Sequence, residues 1–322
     1  MSRLSDLARR AAKGLPGKIA SRLLQGEPGV AVLLYHRVVP VVKDDRFSLQ
    51  VSEENFREQM RWLKSRYPVL PLDRAIGDLE RGTLPERHVV SLTFDDGYRD
   101  NLTRALPILE ELDLPATFFI STGFVMSGKP FWWDRLARAG GASAPPPGTK
   151  PNEDPYSRAK GLDPHARDAW LDGLGLPDPP FCEEELPLRS SELKLLGPRA
   201  TIGGHGHEHL SLGLVSRQVA EADVKMCAEA LDRESGSRPR LFAYPFGGPQ
   251  DVSPDAVEVV RQAGFTAAFT TAPLVLRRGA DPLRFPRLWV HDGPAGALAT
   301  RLLRAFVESR QPVSDGSMTR RS

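Results

Sequence analysis

The sequence predicts a parallel α/β architecture, a (β/α) barrel or a doubly wound sheet, on three observations. Short apolar runs alternate with longer stretches of helical periodicity, the pattern of repeated β/α units. Several of those runs are continuously apolar and rich in β-branched and aromatic residues, as strands buried on both faces require. His36, Asp95, Asp96, His205, His209, Tyr244 and Arg287 each end a predicted strand or lie just beyond one. In both folds function gathers at the C-terminal ends of strands.

Residues 30–35 (Val-Ala-Val-Leu-Leu-Tyr) form the first strand, which ends at His36-Arg37. Ser52 is an N-cap followed by two acids, and Phe56, Met60 and Leu63 share one face of the helix that it opens. A shorter helix at 73–80 precedes a strand at 88–94, which runs directly into Asp95-Asp96-Gly97. The helix at 100–112 contains Pro107, which predicts a kink or a restart. Residues 116–120 are the next strand.

Between 127 and 187 the alternation pauses. Residues 131–135 (Phe-Trp-Trp-Asp-Arg) open a short aromatic helix, and a Pro/Gly-rich tract follows. That composition predicts an excursion from the core without regular helix or central strand. It either covers a substrate groove or is a tolerated surface insertion, with Trp132 and Trp133 as packing residues. Alternation resumes with a short helix capped by Ser190 or Ser191, a strand at 200–204 and a helix at 216–231. A strand at 240–244 follows, then a helix started by Ser253-Pro254 and stopped at Gly264. Strands at 265–270 and 285–290 and a helix at 295–307 complete the pattern.

With 322 residues, 40% hydrophobic and 26% charged, the chain supports one large domain at 30–310 carrying the 127–187 insertion. A basic amphipathic segment at 1–29 precedes it and a flexible tail at 311–322 follows. The formal net charge of +2 gives no reason to expect nucleic acid or a strongly acidic partner. Cys182 and Cys227 are too few for a disulfide framework and have no CxxC spacing. No apolar run reaches the roughly 18 to 20 residues that span a bilayer, and charges, Gly and Pro interrupt the first thirty residues too often for a secretory signal. The expected location is cytoplasmic. Residues 1–24, where Leu4, Leu7, Ala11, Leu15 and Ile19 recur among Arg and Lys, either rest peripherally on the inner membrane surface or form a packing helix.

Two adjacent carboxylates after an apolar strand are costly unless something holds their charge. An Asp-Gly turn with both acids solvated is the plain reading of residues 91–98 alone. His205 and His209, at i, i+4 spacing, can aim two imidazoles at one ion, and imidazole plus carboxylate suits Zn²⁺ or a similar divalent cation. Shared position at one end of the fold joins the histidines to the Asp pair. Two His and one carboxylate also make the facial triad of a non-haem Fe(II) oxygenase, but that chemistry usually sits on a jelly roll, and strands alternating with long helices speak against one.

These residues resemble the motifs of the metal-dependent polysaccharide deacetylases, carbohydrate esterase family 4 or the NodB homology fold. Thr93-Phe-Asp-Asp-Gly-Tyr98 is similar to the first motif and His205-Gly-His-Glu-His209 to the second. Phe242-Ala-Tyr-Pro-Phe-Gly247 is similar to the third, Phe285-Pro-Arg-Leu288 to the fourth, and Val32-Leu-Leu-Tyr-His-Arg-Val38 to the opening strand of one branch. The resemblance implies a distorted (β/α) barrel of about seven parallel strands and a divalent metal, Zn²⁺ first and Co²⁺, Ni²⁺ or Mn²⁺ as alternatives, on Asp96, His205 and His209. It implies Asp95 as base, Arg287 as its orienting partner and the Tyr244 backbone N–H as an oxyanion donor.

The implied activity removes N-acetyl groups from N-acetylhexosamine residues of a polysaccharide or lipid-linked glycan. O-deacetylation, deformylation of a related sugar, and glycan binding without turnover are the alternatives. The family's last motif, a Leu-x-His that supplies the general acid, does not follow Arg287. His291 and His36 are the candidates for that acid, and His207 is a third.

Overall fold

The computed structural model describes residues 28–43, 45–138, 154–173, 181–197, 200–236 and 238–309. The basic segment at 1–24, most of the proline tract and the C-terminal tail lie outside the described residues.

The chain runs β1 (Val30–Tyr35), β2 (Arg37–Val39), β3 (Gln50–Ser52), α1 (Glu53–Arg66), α2 (Leu72–Arg81) and β4 (Val89–Phe94). A π turn at Asn101–Ala105 then feeds α3 (Leu106–Glu111). Pro107 thus sits in the first turn of α3, where its missing N–H is tolerated, and the restart falls upstream of it as a π turn. Next come β5 (Ala116–Ile120), α4 (Thr122–Ser127) and α5 (Trp132–Arg138), and inside the insertion α6 (Pro155–Lys160) and α7 (Pro164–Gly173). β6 (Ala200–Gly204), α8 (Arg217–Ser235), β7 (Leu241–Ala243), α9 (Pro254–Gln262), β8 (Ala267–Phe269), β9 (Leu288–Trp289) and α10 (Ala295–Glu308) complete it.

Seven strands form one sheet in the order β8-β7-β6-β5-β4-β1-β9, with every pairing parallel. The Phe269–Phe285 bridge brings the segment before β9 back toward β8, curling the sheet into a distorted barrel. The strand expected at 285–290 is regular only over Leu288–Trp289, because Pro286 has no N–H to give a ladder.

All six residues of β1 and of β4 are buried. One face of each strand packs outward: Leu33, Tyr35, Leu92 and Phe94 join Phe56, Met60 and Leu63 of α1 and Leu302 and Phe306 of α10. The other face fills the barrel, where Val30, Val32 and Val89 meet Phe119, Phe269 and Phe285, and α2 adds Leu72, Ala75 and Leu79. Each such Val, Leu or Phe contributes roughly 1.5–3 kcal/mol by leaving water. Side chains alternate along a strand, so Ser91, Thr93 and Asp95 follow Val89 toward the barrel interior.

The proline-rich insertion holds more helix than its composition suggests. Pro155 and Pro164 each occupy the first position of a helix, after Asp154 and Asp163, whose carboxylates accept the N–H of Ser157 and Ala166. Proline fits that position because the N–H there has no intrahelical partner. No helix among the described residues is long and apolar enough to cross a membrane.

Candidate metal centre

Asp95 leaves β4 into the barrel and meets Arg287 two residues after Phe285. The guanidinium donates two parallel bonds, Nη1 to Oδ1 and Nη2 to Oδ2, both 2.7 Å. Arg287 is itself fixed: Nε donates to the Thr270 carbonyl at 3.2 Å, and its cation lies 5.4 Å from the centre of the Phe119 ring. Burial disfavours ionisation of Asp95, but Arg287 and His205 outweigh it and hold the carboxyl below its ordinary range.

Asp96 turns the other way. Its φ of 73° and that of Gly97, 88°, lie in the left-handed region, so the chain bends sharply at the strand end. Asp96 Oδ1 then lies 3.3 Å from Nε2 of both His205 and His209. One ligand atom from each of the three buried side chains falls within 4.8 Å of the others. His205 Nδ1 faces the Ala243 carbonyl at 2.8 Å, so that nitrogen carries the proton and Nε2 points a lone pair at the carboxylate.

A lone pair facing a carboxylate repels it unless a cation or a proton lies between them. Asp96 Oδ1 is also buried without a hydrogen-bond partner among the described residues. The donor set therefore fits a divalent cation, with the second nitrogen of His205 oriented as a metal-binding histidine requires. Without one, His205 attracts a proton: burial opposes its charge, but Asp95 and Asp96 outweigh burial and raise its pKa. Burial dominates at His209 and lowers its pKa to about 4.

The loop carrying the histidines is pinned from α8. The buried Asp223 carboxylate accepts the backbone N–H of His207 at 3.0 Å and of Glu208 at 2.7 Å. Gly206, at φ 75°, passes so close that a Cβ there would meet Asp223 Oδ2 at 2.8 Å. Sequence reasoning missed Asp223, since one acid inside a helix carries no local signal of a contact to a distant loop.

The remaining sequence candidates separate. His36 is buried, lines the same cavity as Asp95, Asp96 and the two histidines, and packs against Trp289 at 5.1 Å. Its Nδ1 has no hydrogen-bond partner among the described residues, and burial lowers its pKa. His291 is exposed and borders a different depression, beside Val290 and α10, because the chain leaves the barrel after the two residues of β9. His207 bonds Thr122 and lines a neighbouring groove. His88 stacks on Phe306 inside the core, and His165 is exposed on α7.

Tyr244 borders the cavity, but its backbone N–H donates to the Phe269 carbonyl at 3.0 Å in the sheet. The expectation that this N–H receives an oxyanion is thereby corrected, because the group is already spent. Two residues on, Phe246 has φ 62° and sets its ring 4.7 Å from that of His209. Its backbone N–H has no acceptor among the described residues.

The insertion docks on this site. Trp133 packs 4.4 Å from His209, and the buried Arg167 of α7 donates to the Glu208 carbonyl inside the histidine motif. Lys160 of α6 pairs with the buried Asp251 at 2.7 Å and lies 4.2 Å from the Phe246 ring centre. Of the two readings open for the insertion, these contacts favour a cover over the site.

A parallel barrel whose strand ends gather an Asp-His-His cluster beside an arginine-held carboxylate defines an α/β-barrel protein with a candidate divalent-cation site. The polysaccharide deacetylase family model matches residues 83–144 and 189–268, which include the Asp pair, the histidine motif and Phe246. The chain is similar to that family over these two stretches. It is similar to a poly-β-1,6-N-acetyl-D-glucosamine N-deacetylase of Staphylococcus epidermidis, at 24% identity over 75% of this chain and 68% of that protein. The Escherichia coli K12 protein of the same name is 35% identical over 111 residues, 32% of this chain. The match spans only 16% of the Escherichia coli protein and 30% of a Bacillus subtilis relative. Two solved structures share the fold: a Streptococcus pyogenes deacetylase in complex with acetate (19% identity, 87% of this chain and 99% of that one, TM-score 0.58) and IcaB from Ammonifex degensii (20% identity, 88% and 98%, TM-score 0.57).

Proposed function

We propose that the protein is a metal-dependent hydrolase that removes N-acetyl groups from N-acetylhexosamine units of a polysaccharide or lipid-linked glycan. The observation that carries this reading is the division of the Asp pair, with Asp96 facing the Nε2 atoms of His205 and His209 and Asp95 clamped by Arg287 in the same cavity. The relatives named as poly-β-1,6-N-acetyl-D-glucosamine N-deacetylases support it.

Asp96, His205 and His209 would hold the cation, with Zn²⁺ or Co²⁺ suited to the donors. When bound, such an ion lowers the pKa of water and polarises a carbonyl. Asp95, kept ionised by Arg287, takes the proton from the water that attacks the acetamide carbonyl carbon. The Phe246 N–H is the backbone donor free to face the oxygen that gains charge. His36 in its protonated form gives a proton to the sugar nitrogen as the C–N bond breaks, leaving acetate and a free amine.

Acetate release tests the reading. Purified protein with Zn²⁺ or Co²⁺ is expected to release acetate from N-acetylglucosamine oligomers, and Asp95→Asn to abolish it. Absence of release from every acetylated amino sugar, with and without metal, overturns the proposal.

A further inference from the structure

We propose that Tyr156, brought to the site by the insertion, closes the cavity around a single sugar ring, so that the protein acts on a terminal or isolated acetylated amino sugar and not on the interior of a polymer. This inference rests on the deacetylase reading above.

The cavity over the Asp pair measures about 270 Å³, just below the roughly 300–1,000 Å³ usual for drug-sized ligands. That is room for a pyranose ring with its acetamide arm. Its walls are aromatic: Phe47 from the β2–β3 connection, Trp133 and Tyr156 from the insertion, Phe246, and Trp289 from β9. Tyr156 links them. Its ring centre lies 4.6 Å from Phe47, 5.2 Å from Trp132 and 6.2 Å from Phe246.

A sugar inside a polymer must leave a cleft in two directions. The Phe47–Tyr156 contact joins the β2–β3 connection to the insertion and closes one of them. The closure is anchored, because Lys160, one helical turn beyond Tyr156, is tied to the buried Asp251. The Tyr156 hydroxyl has no hydrogen-bond partner among the described residues, although it belongs to the wall of the cavity. The hydroxyl is thus available to a sugar hydroxyl in the cavity.

The test compares two substrates with the metal-loaded protein: a methyl glycoside of N-acetylglucosamine and a fully acetylated β-1,6-linked pentamer, with products read by tandem mass spectrometry. Wild type is expected to deacetylate the glycoside and to remove one acetyl group per pentamer, from an end unit. Phe47→Ala and Tyr156→Ala are expected to shift removal to interior units. Tyr156→Phe, which keeps the ring, is expected to raise KM for the glycoside about threefold to tenfold, the worth of one hydrogen bond, with kcat nearly unchanged.

Removal of interior acetyl groups by wild type overturns this inference and leaves the deacetylase reading standing. No acetate from either substrate overturns both. The wild-type product pattern decides the matter even where an alanine variant fails to fold.

Discussion

Arg287 and Asp95 face each other fork to fork, with both N–O distances at 2.7 Å and the arginine wholly buried. Removing one partner of a buried pair leaves the other charge uncompensated. Arg287→Met is expected to lose about 3–5 kcal/mol of stability in urea unfolding. Arg287→Lys keeps the charge but not the two-point geometry, so it should retain most of the stability and lose turnover. A lysine variant with wild-type kcat would show that charge alone suffices.

Asp95 and Asp96 should separate in metal binding. Asp95→Asn is expected to bind Co²⁺ in calorimetry with near wild-type affinity while kcat falls by about 10²–10⁴-fold, the worth of a positioned base. Asp96→Asn or His209→Ala should lose the Co²⁺ heat itself. Equal loss of binding in both Asp variants would contradict the division of roles.

Asp223 holds the histidine loop through two backbone N–H bonds. An asparagine there has one acceptor oxygen in place of two and turns an NH₂ toward an N–H. Asp223→Asn is expected to weaken Zn²⁺ affinity about 10–100-fold in chelator competition, the usual effect of losing support behind a metal ligand. Unchanged affinity would mean that the loop is held without it.

The stability that the Asp134 carboxyl contributes should fall as pH rises from about 4 to about 7, against the lowered pKa of His209, which acts with the opposite sign. Burial raises the Asp134 carboxyl to about 7, with Arg37 and the Tyr98 hydroxyl opposing and Asp96 and Glu185 adding to the rise. Because the folded pKa exceeds the unfolded one, the folded state holds the proton more tightly, and the advantage is lost as pH climbs through that window. Asp100 and Asp223, raised to about 6, act with the same sign over its lower part. Asp134→Asn, still able to accept from Tyr98, should remove a few kcal/mol of this slope in urea unfolding at pH 5 and pH 8.

The strands were legible because burial on both faces writes an uninterrupted apolar run, and the Asp pair and histidines because charge at a strand end is unusual there. The contacts made across the chain were not legible. Asp223, Phe47 and Tyr156 reach the site from a helix, a strand connection and the insertion, and no local pattern marks them. The third motif illustrates a finer limit. Tyr244 and Phe246 both border the cavity, and only the ladder bond from Tyr244 to Phe269 shows which backbone N–H is free. His291 and His36 look alike as residues at strand ends, yet β9 stops after two residues and carries His291 away.

Asp96 follows β4 and the histidines follow β6, and β5 and the whole insertion lie between them in sequence. An ion held by all three would therefore tie off a single long loop that contains the cover of its own site. Loop closure and cover docking then become one linked equilibrium. Chelation should loosen the insertion far from any ligand, and substitutions that unseat α6 from Asp251 should in turn cost metal affinity.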